Sequence, residues 1–188
     1  MSDKPRVVGL IPARIGSVRV KCKNLRMIAG KPLIYYSIRA VQEARTFDEV
    51  YVNSESELIG AVAERYGINF YKRPKELATS SSLIDEYIYD FLKHVSCDVL
   101  AVVNPTSPFL TSQEIDASVE HFNSHDYDTQ LACTDLRTHC FLEGDEVNFT
   151  TKGKHPRSQD LSPVQALNFA VTIWDSAKFI RQYEEKGY

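Results

Sequence analysis

Apolar residues along the chain fall in short blocks that alternate between two periodicities. Val7, Val8, Leu10 and Ile11 form a nearly continuous run, as in a strand buried on both faces. Leu33, Ile34, Ile38, Val41 and Ala44, with Ser37 among them, recur every three or four residues. This spacing predicts a helix that starts after the turn Gly30-Lys31-Pro32. Val50 to Val52 reads as a second strand. Leu58, Ile59, Val62 and Ala63 then read as a helix ending at Gly67, with Ser54 or Ser56 as N-cap and Glu55 and Glu57 in its first turn. Ile68 to Tyr71 is a third strand, and Leu83, Ile84, Tyr87, Ile88, Phe91 and Leu92 mark an amphipathic helix. Val99 to Val103 is a fourth strand, stopped by Asn104-Pro105-Thr106-Ser107-Pro108. Thr111 and Glu114 have capping-box spacing for a helix through Ile115, Val119 and Phe122. Thr129 to Cys133, Leu167 to Ile173 and Asp175 to Tyr183 complete the series as strand, strand and helix.

Such βαβα alternation implies an α/β fold: a three-layer αβα sandwich around a mostly parallel, Rossmann-like sheet. Right-handed crossovers bring the C-terminal ends of the parallel strands to one edge, so the loops that follow them converge there. One interruption stands out. Thr134 to Ser162 is polar, contains Gly144 and Gly153, and carries His139, Lys154, His155 and Arg157. A long irregular insertion of this kind is usually functional or an interface. A flexible loop with ordinary charges is the alternative.

Charge sharpens the first loop. Arg14, Arg19, Lys21 and Lys23 lie within ten residues directly after the first strand, around Gly16 and Ser17. Loop N–H groups and clustered cations can hold a polyphosphate, although neither a GxxxxGK[ST] nor a GxGxxG pattern is present. A solubilising basic surface loop is the plainer reading. The whole chain carries a net charge of −3 over 188 residues, which argues against a nucleic-acid or anionic-membrane partner. No apolar run approaches the roughly 18 residues of a membrane span, and MSDKPR leads into the first strand without a signal-peptide pattern. A cytoplasmic location is expected. Cys22, Cys97, Cys133 and Cys140 have no CxxC spacing and are expected to be reduced and mostly buried. The length suits a single domain over residues 1–188.

The stretch ARIGSVRVKCKN resembles the ARxGSKxxPxKN signature of the acylneuraminate cytidylyltransferase family. GKPLIYYSIRA, YKRPKELA and NPTSPFLTSQEI follow in the family's order, and PRSQDLSPVQALNFAVTIW is similar to its PRQxLPxxxxxNGAIYI segment. Four positions depart from the pattern: Val18 replaces a lysine, Lys21 a proline, Asn104 a glutamine and Phe169 a glycine.

The resemblance implies a nucleotidyltransferase fold and transfer of CMP from CTP to the anomeric oxygen of a sialic-acid-like sugar acid, with pyrophosphate released. It implies Arg14 and Lys23 as the catalytic cations, with Ala13, Ser17, Asn24, Arg73, Ser81, Ser82 and Asn104 also binding the nucleotide. Thr106, Arg157, Gln159 and Asn168 become candidates for the sugar acid. Residues 134–165 are then expected to be a dimerisation arm, making the protein a homodimer. Magnesium is the implied cofactor. The family's acidic metal motif would lie beyond Tyr188, so a shortened form of a longer protein is expected. The alternative is a nucleotide-binding relative with impaired catalysis, its lost chemistry marked by Val18, Asn104 and Phe169.

Overall fold

The computed structural model describes residues 4–17 and 19–186, so Val18 lies outside the described residues. In chain order the elements begin with β1 (Val7–Pro12), the two-residue strands β2 (Met27–Ile28) and β3 (Lys31–Pro32), α1 (Leu33–Glu43), β4 (Glu49–Ser54), α2 (Glu57–Arg65) and β5 (Asn69–Lys72). They continue through α3 (Ile84–His94), β6 (Val99–Val103), α4 (Ser112–Asn123), β7 (Thr129–Leu136), β8 (Phe141–Leu142) and β9 (Asp145–Glu146) to β10 (Val164–Asp175) and α5 (Ser176–Lys186). The main sheet has the order β5-β4-β1-β6-β10-β7. β1 pairs in parallel with β4 and β6, β4 in parallel with β5, and β10 antiparallel with β6.

Two compact units make up the chain: residues up to 130 together with those from 170 onward, and residues 131–169. In the first unit β1 sits at the centre, and its period-2 pleat sorts its side chains between two cores. Val7 and Ile11 join Val99, Ala101 and Val103 under α1, α2 and α4. Val8 and Leu10 join Leu100 and Val102 under α3 and α5, through Ile88, Phe91 and Phe179. All four β1 side chains are fully buried, each worth roughly 1.5–3 kcal/mol of transfer free energy. This explains why the run reads as continuously apolar, and it rules out carrying chemistry on β1 itself.

Helix starts follow local chemistry. Thr111 and Glu114 form the expected reciprocal capping box on α4. At α2 the expectation is corrected: Ser56 occupies the N-cap position but its side chain makes no capping bond, and the Ser54 hydroxyl accepts the Ser56 N–H. The four cysteines are free, but Cys22 and Cys133 are exposed rather than buried. Cys22 takes a left-handed turn (φ 50°) within the basic loop, and Cys133 falls on an outward position of β7.

The second unit contains the short antiparallel β8–β9 pair and includes residues 134–165 whole. Asn148 organises it, donating to the Thr138 and Ser162 carbonyls while its Oδ1 accepts the Cys140 N–H. Phe169, where the resemblance places glycine, has φ 54°. A left-handed aromatic residue is strained by roughly 1–2 kcal/mol. Phe169→Gly is therefore expected to raise the urea midpoint of unfolding, with gains of up to about 1 kcal/mol after the added chain entropy of glycine.

Candidate active site

In the first unit, the C-terminal ends of β1, β5 and β6 open onto a cleft of about 700 Å³. The loop after β1 contributes Arg14, Ser17, Arg19, Lys23 and Asn24, the segment after β5 contributes Arg73, and the end of β6 contributes Asn104. Residues far apart in sequence therefore meet because parallel strands end at one edge.

The basic loop is tied down from its neighbours. Ala13 N–H donates to the Asn53 carbonyl at 2.9 Å, and Ile15 N–H donates to Glu55 Oε1 at 2.9 Å. Asn24 Nδ2 donates to the Arg14 carbonyl at 3.1 Å. Asn24 is buried, and its Oδ1 has no protein partner, which leaves an acceptor for a ligand donor. Across the cleft, Arg14 reaches the Thr79 carbonyl with its guanidinium. Burial, then Arg19 and Arg14, hold Lys23 below the ordinary lysine range. A part-buried amine disfavoured as a cation by burial and by two neighbouring guanidiniums is a sign of a site built for an anion.

Arg73 forms the floor. Only 4% exposed, it donates from Nε to Asn53 Oδ1 and from Nη2 to the Asn53 carbonyl at 3.1 Å. Its guanidinium lies 4.1 Å from the centre of the Tyr87 ring. Burial is the main cause that lowers its proton affinity, yet a guanidinium stays charged at any working pH. None of the described carboxylates pairs with it. A buried cation held by carbonyls and a ring face retains its charge for a ligand.

The segment 79–82 is a closed turn. Thr79 and Ser82 exchange backbone-to-hydroxyl bonds at 3.1 Å in both directions, and the Ser82 hydroxyl also donates to the Glu76 carbonyl. Thr79, Ser80 and Ser82 line the cleft. Ser81 does not, because its hydroxyl turns back onto Thr79 Oγ1.

Three further expectations are relocated. Ala13 is fully buried and its N–H is already committed to Asn53, so it underlies the loop rather than lining it. Thr106 stands behind Asn104, donating to Asn104 Oδ1 from both its N–H and its hydroxyl. That pins the amide so that Asn104 offers its NH₂, a donor, to the cleft. Arg157, Gln159 and Asn168 belong to the second unit. There Arg157 forms a two-point ion pair with Asp160, and Asn168 donates to Thr134 Oγ1.

Other contributors were signalled by the sequence only in part. Arg19 lines the cleft whereas Lys21 does not; the direction in which a loop turns its cations is invisible in the order of residues. Leu77, Ile84 and Tyr87 add an apolar wall, although periodicity reads Ile84 and Tyr87 simply as core. Among the described residues no carboxylate lines the cleft, and no cluster of three or more His, Cys, Asp or Glu could hold a metal ion. The described residues therefore do not by themselves compose a magnesium site.

Comparison with known proteins fits this geometry. The family profile described as Cytidylyltransferase matches residues 8–173. The N-acylneuraminate cytidylyltransferase of Streptococcus agalactiae serotype V is 30% identical over 182 residues, covering 92% of this chain and 44% of that protein. The CMP-N,N'-diacetyllegionaminic acid synthase of Legionella pneumophila is 36% identical over 121 residues, covering 61% of this chain and 52% of the relative. The 3-deoxy-manno-octulosonate cytidylyltransferase of Bdellovibrio bacteriovorus is 33% identical over 178 residues, covering 95% of this chain and 63% of the relative. The chain thus spans less than half the length of the streptococcal relative. Among solved structures, CMP:2-keto-3-deoxy-manno-octonic acid synthetase complexed with CTP superposes with a TM-score of 0.74 at 14% identity, over 96% of this chain and 78% of that one. The 4-diphosphocytidyl-2C-methyl-D-erythritol synthase of Anaerococcus prevotii gives 0.66 at 12% identity, over 97% and 75%. Those two share the fold. With the profile running from β1 into β10 and the basic loop at the sheet edge it begins on, this chain belongs to the cytidylyltransferase family.

Proposed function

We propose that the protein transfers CMP from CTP to the anomeric oxygen of a sialic-acid-like sugar acid. The observation that carries this reading is the convergence of Arg14, Arg19, Lys23 and Arg73 on one cleft that no carboxylate among the described residues lines. A triphosphate supplies the negative charge that such a cleft lacks. Arg14, Arg19 and Lys23 hold its phosphates, with Ser17 beside them. Asn24 Oδ1 and the Asn104 amide serve as acceptor and donor for the nucleoside.

The sugar's anomeric oxygen attacks the α-phosphorus, forming one P–O bond as the bond to the bridging α,β oxygen breaks. Pyrophosphate leaves with the electron pair, and the hydroxyl proton passes to solvent. No covalent enzyme intermediate is needed, so the protein's work is positioning and charge stabilisation. Magnesium enters this reading as a companion of the nucleotide's phosphates rather than as a ligand of the residues named here.

In this reading Arg157 and Gln159 meet the sugar carboxylate and Asn168 its hydroxyls. The relatives' names favour a nine-carbon or eight-carbon ulosonic acid. A homodimer built through the second unit is supported by its exposed Phe141, Leu142, Val147 and Leu167. No helix among the described residues is long and apolar enough to cross a membrane, and the reading places the protein in the cytoplasm with its nucleotide.

Pyrophosphate release tests it, assayed with CTP, magnesium and a panel of N-acetylneuraminic, N,N'-diacetyllegionaminic and 3-deoxy-manno-octulosonic acids. Release with one of these acids, and little with UTP or ATP, is the expected result. Binding of CTP without release for any acid would leave only a nucleotide-binding relative. Absence of CTP binding would overturn the proposal.

A further inference from the structure

We infer that Asn53 is a positioning residue whose neutral amide holds Arg73 in place without cancelling its charge, so that the guanidinium remains available to the nucleotide's phosphates. The inference rests on the nucleotide reading of the cleft above.

Asn53 is the penultimate residue of β4, opposite Pro12 of β1, and is fully buried. Its backbone carbonyl accepts two donors, the Ala13 N–H that starts the basic loop and Arg73 Nη2. Its side-chain Oδ1 accepts Arg73 Nε–H. One residue therefore sets the loop and the floor of the cleft relative to each other. A third acceptor, the Leu77 carbonyl, takes an Nη1–H at 3.4 Å, which leaves one N–H on each terminal nitrogen of the guanidinium uncommitted.

The choice of an amide here is costly. Asn53 Nδ2 has no hydrogen-bond partner although it is buried, and a buried unpaired donor destabilises a fold. Aspartate has nearly the same shape, would remove the orphan donor, and would offer Arg73 a charge-assisted bond. Local hydrogen bonding thus favours the carboxylate. What the carboxylate would remove is the net positive charge at the floor, and a polyphosphate ligand needs that charge. Glu55, two residues on, is near enough to favour the charged form of Arg73, but its Oε1 accepts the Ile15 N–H and it forms no ion pair with the guanidinium. The floor therefore stays cationic.

Asn53→Asp separates charge from position. Calorimetric or NMR titration of the parent and the variant with CTP, cytidine and inorganic tripolyphosphate reads the effect, with a melting curve for each protein. The expected result is that Asn53→Asp binds CTP and tripolyphosphate about tenfold or more weakly. Cytidine affinity should stay within about twofold and Tm should not fall, since the uncharged ligand feels position but little of the field. Neutral Asn53→Ser should instead weaken cytidine and CTP in similar proportion. Unchanged CTP affinity in Asn53→Asp, equal loss of cytidine and CTP in that variant, or its failure to fold would each overturn the inference. If the parent takes up tripolyphosphate but no CTP, the nucleotide reading fails while the charge comparison at Asn53 still decides this one. A parent that binds neither removes both.

Discussion

Arg73→Met is expected to lower pyrophosphate release about 10²–10³-fold, the usual loss when one preorganised charged donor is taken from a developing negative charge, while the protein remains folded. The two halves of this result have separate causes. Arg73 is 4% exposed and ion-paired with no described carboxylate, so its charge is committed to the cleft. Methionine fills a similar volume and lies on Tyr87 as the guanidinium does. It leaves Asn53 Oδ1 without a partner, at about 1–3 kcal/mol, but also removes the cost of a desolvated cation. Stability should therefore move little. Arg73→Lys restores a charge but cannot reach Asn53 Oδ1 and the Asn53 carbonyl together; it should recover only part of the rate. Steady-state kinetics alongside thermal melts checks both, and a Met variant with parental rates would exclude Arg73 from the chemistry.

Lys23→Met is expected to weaken CTP binding about 10–100-fold, the span for losing a hydrogen bond to a charged group, and yet to raise the melting temperature of the ligand-free protein. The sign follows from linkage. Burial first, then Arg19 and Arg14, lower the Lys23 pKa in the folded protein. A base lowered on folding binds protons less well than in the unfolded chain. Its charge therefore opposes folding in full below the folded value, and the opposition fades as pH rises from that value through the ordinary lysine value of the unfolded chain. Removing the cation relieves it at every pH. The nucleotide acts in the opposite sense, because its phosphates favour the protonated amine. CTP affinity should accordingly fall as pH rises through the depressed Lys23 value, at lower pH than an exposed lysine would dictate. Titrations at several pH values should find that limb in the parent and not in Lys23→Met. An identical alkaline limb in both proteins would assign it elsewhere.

The cleft's basic loop also shows how four cations divide. Arg14 spans to the Thr79 carbonyl and so helps to close the far wall. Lys23 and Arg19 crowd each other, while Lys21 does not line the cleft and gives its carbonyl to Arg26 Nε. Only some members of a charge cluster reach the cleft, and the remainder are a solvated face.

The order of the longer strands and of the helices, and the sheet edge of the cleft, were already determined by the sequence, because they depend on local quantities; the two-residue strands β2, β3, β8 and β9 were not. Period-2 and period-3.6 burial, proline and glycine stops, and the Thr111–Glu114 box are properties of neighbouring residues. Parallel strands joined by helices permit only a few arrangements, so Arg14, Lys23, Arg73 and Asn104 could be assigned to one edge before their distances were known. Tertiary structure alone decided which atoms remain free. Asn104 could be placed at the cleft from its strand, but only the Thr106 bonds to its Oδ1 show that it presents a donor. Asn53 carries no motif, and its importance arises where one buried carbonyl meets a loop N–H and a guanidinium from two different connections. Hydrogen-bond commitment between residues distant in sequence depends on three-dimensional packing, which no periodicity along the chain encodes.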